Sequence, residues 1–145
     1  MHTNRNVQFV FRAVVFSFFL LFLCTQPRAQ QTQQTFLLFW RSDCGSCELA
    51  IKQLVAKCKT LNKNFFTITT ISFDTDSTSY FNAIKNNNME GFDNQYNFKE
   101  GYTNNPLAKK YGVTKTPTLL QLDRQGNVIA QGQAAFISLS NLPKL

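Results

Sequence analysis

Histidine is almost missing from this chain of 145 residues, and cysteine is scarce: there is one histidine and there are four cysteines. The histidine, His2, lies at the extreme N-terminus, so the rest of the chain offers no imidazole ligand. Cys44 and Cys47 are close in sequence. Cys58 lies about 16 Å further along a predicted helix, too far to share a coordination shell or a disulfide with them. The sequence therefore predicts no metal site.

Acidic residues are also few, 8 against 15 lysines and arginines, which gives a formal net charge of +7. Some of the arginines belong to the N-terminal segment described next, so the excess is smaller in the rest of the chain. The remaining cations are scattered, and no run of lysine or arginine is longer than Lys109–Lys110. A nucleic-acid-binding face concentrates positive charge, so the sequence predicts no nucleic-acid partner.

The N-terminal segment lacks acidic residues and carries an apolar run behind two arginines, Arg5 and Arg12. The run, Ala13–Cys24, is apolar on all sides and would be about 18 Å long as a helix, against a hydrocarbon core of about 30 Å. A basic start followed by a short apolar core is typical of a secretory signal peptide. The alternatives are an uncleaved anchor and a lipoprotein attached through Cys24.

We therefore divide the chain into a signal peptide over residues 1–29, a polar linker over residues 30–35 and one domain over residues 36–145. Export predicts a periplasmic or other extracytoplasmic location, with a membrane tether only if the signal is retained. Such a compartment is oxidising, so paired cysteines can form a disulfide there.

The predicted domain begins with a buried strand that leads through a tight turn into a helix. Thr35–Trp40 is a continuous apolar run whose length suits a strand buried on both faces. The cysteine pair, Cys44 and Cys47, lies at the junction. The apolar stripe of the helix consists of Cys47, Ile51, Leu54, Val55, Cys58 and Leu61.

Downstream, the pattern alternates between strands and helices. Phe65–Phe73 is rich in β-branched and aromatic residues and predicts a second strand, parallel to the first. A helix through Tyr80 and Ile84, capped from within Asp74–Ser77, should follow, whereas residues 89–105 predict mostly loop. The other expected elements are a helix over Leu107–Tyr111 with Pro106 in its first turn, a hairpin of Thr118–Leu122 and Asn127–Ala130, and a tail with at most one short amphipathic turn.

Cys44 and Cys47 form a Cys-Gly-Ser-Cys pair at the start of the predicted helix. Free backbone N–H groups and the helix dipole favour a thiolate there, so the pKa of Cys44 should fall below the ordinary thiol value of about 8.5, although Asp43 opposes the shift. Because Cys47 lies on the apolar stripe, Cys44 should attack a disulfide of another protein and Cys47 should resolve the mixed disulfide. A purely structural disulfide over so short a loop would constrain the unfolded chain little.

Three motifs in this order resemble the thioredoxin-like superfamily. Phe39–Cys47 resembles its strand–active-site–helix segment, Tyr111–Thr118 the segment that carries a cis-proline, and Leu122–Ile129 the hairpin that follows. The long stretch after the second strand is similar to that of the exported TlpA/ResA-type thiol–disulfide oxidoreductases. The resemblance covers about residues 36–132. It implies an α/β thioredoxin-like fold, with a central mixed sheet of about four strands flanked by helices and the family's N-terminal strand or hairpin missing.

The resemblance also implies roles for individual residues. Cys44 and Cys47 would be the catalytic pair. A cis bond between Thr116 and Pro117 would hold the Thr116 backbone beside the sulfurs, where it can pair with a substrate chain; a simpler interpretation is that Pro117 only begins a strand. No bound cofactor is needed, whereas a partner protein must exchange electrons with the pair. The supporting residues would be Gly45, Ser46 and Trp40.

Several positions depart from the family pattern. Thioredoxins carry a buried acid where this chain has Leu38, and commonly a tryptophan where it has Asp43. These departures favour an alternative function, a thioredoxin-fold binding module that has lost redox activity. A second alternative is a copper or haem-assembly chaperone that uses the cysteine pair as a metal ligand. The leading interpretation is an exported thiol–disulfide oxidoreductase.

The second strand has a predicted weakness. Because no strand is expected before Thr35–Trp40, Phe65–Phe73 should be a long edge strand without proline or charge. Such an edge invites pairing between chains, so the sequence predicts a homodimer, or aggregation, through residues 65–73.

Overall fold

The computed structural model describes residues 33–97 and 104–145. The predicted signal peptide lies outside the described residues, as do Cys24 and any strand that would precede the domain. Within the described residues, no helix is both long and apolar enough to cross a membrane.

The described residues contain a mixed sheet of five strands. In space the order is β3-β2-β1-β4-β5, so β1 is central. The first three strands are parallel, and β4 runs antiparallel to both β1 and β5. The strands are β1 (Gln34–Trp40), β2 (Phe66–Ser72), β3 (Asp93–Tyr96), β4 (Thr118–Leu122) and β5 (Val128–Gln131).

Four helices of the described chain flank this sheet, and a single 3-10 turn, Lys63–Phe65, leads into β2. The arrangement is the α/β fold that the resemblance implies, with five strands where about four were predicted. The helices are α1 (Gly45–Cys58), α2 (Ser77–Asn86), α3 (Pro106–Tyr111) and α4 (Gln133–Ser140).

β1 is buried on both faces, as its continuous apolar sequence predicts. Phe36, Leu38 and Trp40 join a cluster that contains the buried stripe of α1. Leu37 and Phe39 point the other way, into a second cluster that includes residues of β2, β4 and α3. Each such side chain contributes about 1.5–3 kcal/mol when it is buried. The strand that leads into the cysteine pair is therefore firmly held.

The third strand was not foreseen. Residues 89–105 were expected to be mostly loop, and this is wrong for Asp93–Tyr96. β3 has no apolar pattern, and polar contacts stabilise it instead. Thr70 Oγ1 donates to Asn94 Oδ1 at 2.6 Å, and Asn94 Nδ2 donates to the Met89 carbonyl at 2.7 Å. Such contacts leave no periodic signal in a sequence.

β3 also covers part of the edge of β2 that was predicted to be free. Because β3 pairs with Thr69–Ser72, β2 is not an edge strand over that half, and the edge prediction is wrong there. Within β2, and among the described residues, only Phe66–Ile68 has β1 as its sole neighbouring strand. The homodimer through residues 65–73 stays a prediction, but the unpaired edge of β2 is shorter than the sequence predicted.

The tail forms more structure than the sequence predicts. In place of one short turn, α4 spans Gln133–Ser140, and Ala135 and Leu139 on one of its faces are fully buried. Leu142 continues the same contact beyond the helix. The core cluster, rather than local helix propensity, stabilises this segment.

α3 agrees with its prediction. Asn105 caps the helix by accepting hydrogen bonds from the backbone of Leu107 at 3.0 Å and of Ala108 at 3.1 Å. Pro106 occupies the first turn, and Gly112 ends the helix with a left-handed φ of 62°. A side chain at Gly112 would strain that conformation.

Candidate active site

Cys44 lies where β1 turns into α1 and is the N-cap residue of that helix. Its Sγ accepts a hydrogen bond from the Cys47 backbone N–H at 3.2 Å. Its carbonyl accepts from the N–H groups of Cys47 at 2.9 Å and of Glu48 at 3.1 Å. The positive end of the helix dipole thus faces the sulfur, an arrangement that stabilises negative charge on it.

The two cysteines are joined as a disulfide, with their Cα atoms 5.1 Å apart. Cys47 is 0% exposed and belongs to the core cluster, whereas Cys44 is half-buried. A partner can therefore approach the disulfide from the side of Cys44. The expectation that Cys44 attacks and Cys47 resolves the mixed disulfide depends on this difference in burial.

The second signature lies against the same sulfur. The Thr116–Pro117 bond is cis, as the resemblance implies. The Thr116 carbonyl oxygen is 4.0 Å from Cys44 Sγ, and Thr116 Oγ1 is 3.9 Å from it. The fold thus brings together two segments that are far apart in sequence. Thr116 presents a backbone acceptor beside the half-buried sulfur.

Gly45 and Ser46, the first two residues of α1, are exposed and lie between the two cysteines. Ser46 Oγ lies 3.3 Å from Cys44 Sγ, close enough to exchange a weak hydrogen bond. The space around Gly45 is open, because an added Cβ there would meet no atom within 4 Å. The first residues of the helix therefore leave Cys44 accessible.

Trp40 is completely buried in the cluster that contains Cys47 and stacks at a tilt on Tyr80, with 5.9 Å between ring centroids. Its indole Nε1 finds no hydrogen-bond partner within the described parts of the chain. Burial raises the pKa of Tyr80 to about 12. Beside the active-site loop, Trp40 also lines a cleft of about 400 Å³ whose lining includes Asp43 and Glu48.

The acid of thioredoxins has no replacement at its usual position. Leu38 is buried there in the α1 cluster. Glu48 follows Cys47 but is exposed, and it forms an ion pair with Lys52 one turn along α1. Glu48 is therefore a surface residue and not a buried proton acceptor for Cys47.

Asp74 is a buried residue that the sequence analysis did not place near the site. It was expected among the caps of α2, but the cap is Asp76, which accepts from the Ser79 backbone at 2.7 Å. The Asp74 carboxylate instead accepts hydrogen bonds from the loop before Cys44. In the sequence, the only indication of this contact is a serine two residues before an aspartate, Ser72 and Asp74, and that signal is weak.

The third cysteine of the domain is separate from the pair. Cys58 is a free, buried thiol at the end of α1. Burial raises its pKa to about 12, and the charge of Lys63 opposes the shift only in part. It belongs to the core, as its position on the apolar stripe predicts. The described residues contain no group of three or more side chains that could hold a metal ion.

Solved structures with a similar fold come from several bacteria. A thiol–disulfide oxidoreductase from Bacteroides fragilis NCTC 9343 is 28% identical, with a TM-score of 0.61 over 79% of this chain and 84% of that chain. A thioredoxin-like protein from Parabacteroides distasonis is 18% identical, with a TM-score of 0.64 over 75% and 79%. A secreted disulfide oxidoreductase from Mycobacterium tuberculosis is 18% identical, with a TM-score of 0.57 over 74% and 78%.

No curated protein matches the chain in sequence. A family model described as thioredoxin-like matches residues 33–128, which include the cysteine pair, the cis-proline and the start of the final hairpin. This match covers more than half of the chain and agrees with the fold and with the resemblance found in the sequence. The chain belongs to the thioredoxin-like family.

Proposed function

We propose that the protein is an exported thiol–disulfide oxidoreductase that exchanges disulfides with partner proteins through Cys44 and Cys47. The observation that carries the proposal is the disulfide at the N-terminus of α1, accessible from the Cys44 side and flanked by the Thr116 carbonyl. A relative of known fold at 28% identity is itself named a thiol–disulfide oxidoreductase.

The exchange needs two sulfur displacements. In the direction that reduces a client, the Cys44 thiolate attacks one sulfur of the client disulfide, forms a mixed disulfide and releases the other client sulfur as a thiolate, which takes up a proton. Cys47 then loses its proton and attacks Cys44 Sγ, which restores the Cys44–Cys47 disulfide and releases the second client thiolate. Two electrons pass from the pair to the client, and the reverse sequence oxidises a dithiol client.

Thr116 would align the client for the first displacement. Its carbonyl can accept a hydrogen bond from a backbone N–H of an extended client chain, which places the client sulfur next to Cys44 Sγ. Pro117 has no backbone N–H, so at that position the segment presents no hydrogen-bond donor to the client. Protein thiols and disulfides are therefore the proposed substrates, and a second protein must recycle the pair.

Export rests on the N-terminal segment. We propose that residues 1–29 direct the chain out of the cytoplasm and are then removed. Cell fractionation together with N-terminal sequencing of the purified protein tests this proposal: a cytoplasmic chain that retains Met1 would contradict it.

Reduction of insulin disulfides by dithiothreitol tests the activity. The wild-type chain should accelerate insulin precipitation, and Cys44→Ser should abolish the acceleration. Cys58→Ala is the matched control, because it removes a cysteine outside the site and should keep the activity. Equal rates with and without Cys44 would refute the proposal.

A binding module without redox activity is the second candidate. Leu38 favours it, because at that position no buried acid assists removal of the proton from the Cys47 thiol. The same assay separates the two functions. A binding module would leave insulin precipitation at the rate of dithiothreitol alone, and Cys47→Ser would trap no mixed disulfide with any client.

A further inference from the structure

A buried carboxylate lies on the side of the active-site loop that is turned towards β2. Asp74 follows β2 and is 5% exposed. Its Oδ1 accepts hydrogen bonds from the Ser42 backbone N–H at 3.0 Å and from Ser42 Oγ at 2.7 Å. Its Oδ2 accepts from Ser72 Oγ at 2.7 Å, and the Ser42 N–H also lies 3.3 Å from it.

These contacts extend the pairing of the first two strands into the loop. The parallel ladder ends with Trp40 opposite Ser72, and the Phe73 N–H then donates to the Trp40 carbonyl at 3.0 Å. One residue further, the Asp74 carboxylate takes the place of a backbone acceptor and binds Ser42. The loop is thus held to the sheet up to two residues before Cys44.

Because Asp74 is charged, the hydrogen bonds that attach the loop to it are hard to replace. A buried carboxylate must be satisfied by hydrogen bonds or by a cation, and in the described part of the chain no cation pairs with Asp74. The nearby Arg41 pairs with Asp43 at 2.6 Å instead. Ser42 and Ser72 therefore supply the donors, and hydrogen bonds to a charged acceptor are the stronger kind. Moving Ser42 would leave the carboxylate undersatisfied.

We propose that Asp74 is a positioning residue for Cys44: through Ser42 it fixes the β1–α1 loop, so that Cys44 Sγ stays at the N-terminus of α1 and beside Thr116. The inference rests on the proposed function, because position matters only if Cys44 attacks. A loosened loop would move the sulfur away from the Cys47 N–H, which stabilises the thiolate, and the pKa of Cys44 would rise.

Ser42→Ala and Ser42→Thr test the link in a Cys47→Ser chain. Alanine removes the hydroxyl donor to Asp74, whereas threonine keeps it. The measurement is the rate of Cys44 alkylation by iodoacetamide between pH 5 and 10, followed on the Cys44 peptide by mass spectrometry. Ser42→Ala should raise the apparent pKa of Cys44 and slow alkylation at pH 7 by roughly threefold, and Ser42→Thr should restore both.

Asp76→Asn is the matched control. It removes an exposed negative charge close in sequence to Asp74 while keeping a side chain that can cap α2, so the Cys44 profile should not change. The charged neighbours of Cys44 along the chain, Arg41, Asp43 and Glu48, are kept in every variant.

A lowered melting temperature with an unchanged Cys44 profile in Ser42→Ala would overturn the proposal, because the contact would then be structural only. Failure of Ser42→Thr to restore the profile would overturn it as well. If Ser42→Ala does not fold, Ser72→Ala removes one donor from Oδ2 and should shift the profile less, in the same direction; no shift would count against the role of Asp74. Alkylation needs no client, so a protein inactive towards insulin still gives a clear answer.

Discussion

Cys58 should be unreactive towards alkylating agents in the folded protein, although it is a free thiol. Burial raises its pKa to about 12 from an ordinary value of 9.0. At pH 8 an ordinary thiol of pKa about 9 is roughly one tenth ionised, whereas a thiol of pKa about 12 is ionised in about one molecule in ten thousand. Only the thiolate reacts, so alkylation of Cys58 should be about a thousandfold slower than that of an exposed thiol.

The assay is alkylation of the fully reduced, folded protein with iodoacetamide at pH 8, followed peptide by peptide. The Cys44 peptide should be modified first, while the Cys47 and Cys58 peptides stay unmodified on that timescale because both side chains are buried. In guanidinium chloride all three should react at similar rates. Modification of Cys58 within about tenfold of the rate of Cys44 would refute the reasoning, since it would require an accessible thiolate at that position.

Three further predictions concern stability. Burial raises the folded-state pKa of Cys58 from 9.0 and of Tyr80 from 10.0, both to about 12, so the folded state holds these protons more tightly than the unfolded state. The urea midpoint should change little between about pH 6 and pH 8 and should fall as the pH rises from about 9 towards 12, and a flat profile over that alkaline range would contradict the burial of both groups. Leu139→Ala should lower the free energy of unfolding by about 3 kcal/mol, whereas Ile137→Ala, at a side chain 51% exposed on the same helix, should change it by less than about 0.5 kcal/mol; equal effects in urea denaturation would show that α4 is not packed on the core. Asn94→Ala should cost about 1–2 kcal/mol and speed amide exchange in β3, because its side chain both accepts and donates hydrogen bonds there; unchanged exchange would mean that these contacts do not hold the strand.

Much of the fold could be predicted because its central elements carry strong local patterns. β1 is a continuous apolar run, α1 has a clear stripe, and α3 has both Pro106 and Gly112 at its ends. β3 and α4 could not be predicted in the same way. β3 depends on partners such as Thr70 that are distant in sequence, and α4 depends on a core into which Leu139 fits.

The site shows the same division between local and distant signals. Cys44 and Cys47 lie at the start of the helix that follows β1, so their spacing alone marked them as a candidate pair. Thr116 and Pro117 were found only through the resemblance to a family. Asp74 was missed because its partner, Ser42, lies on another segment, and a contact between two separate loops has no signature in either one.

The hydrogen bond from the Cys47 N–H to Cys44 Sγ has a consequence for how the molecule changes state. A sulfur can accept this bond whether it is part of a disulfide or a thiolate, so the same atom can close the end of α1 before and after two electrons are transferred. The first turn of α1 can therefore keep this hydrogen bond in both states.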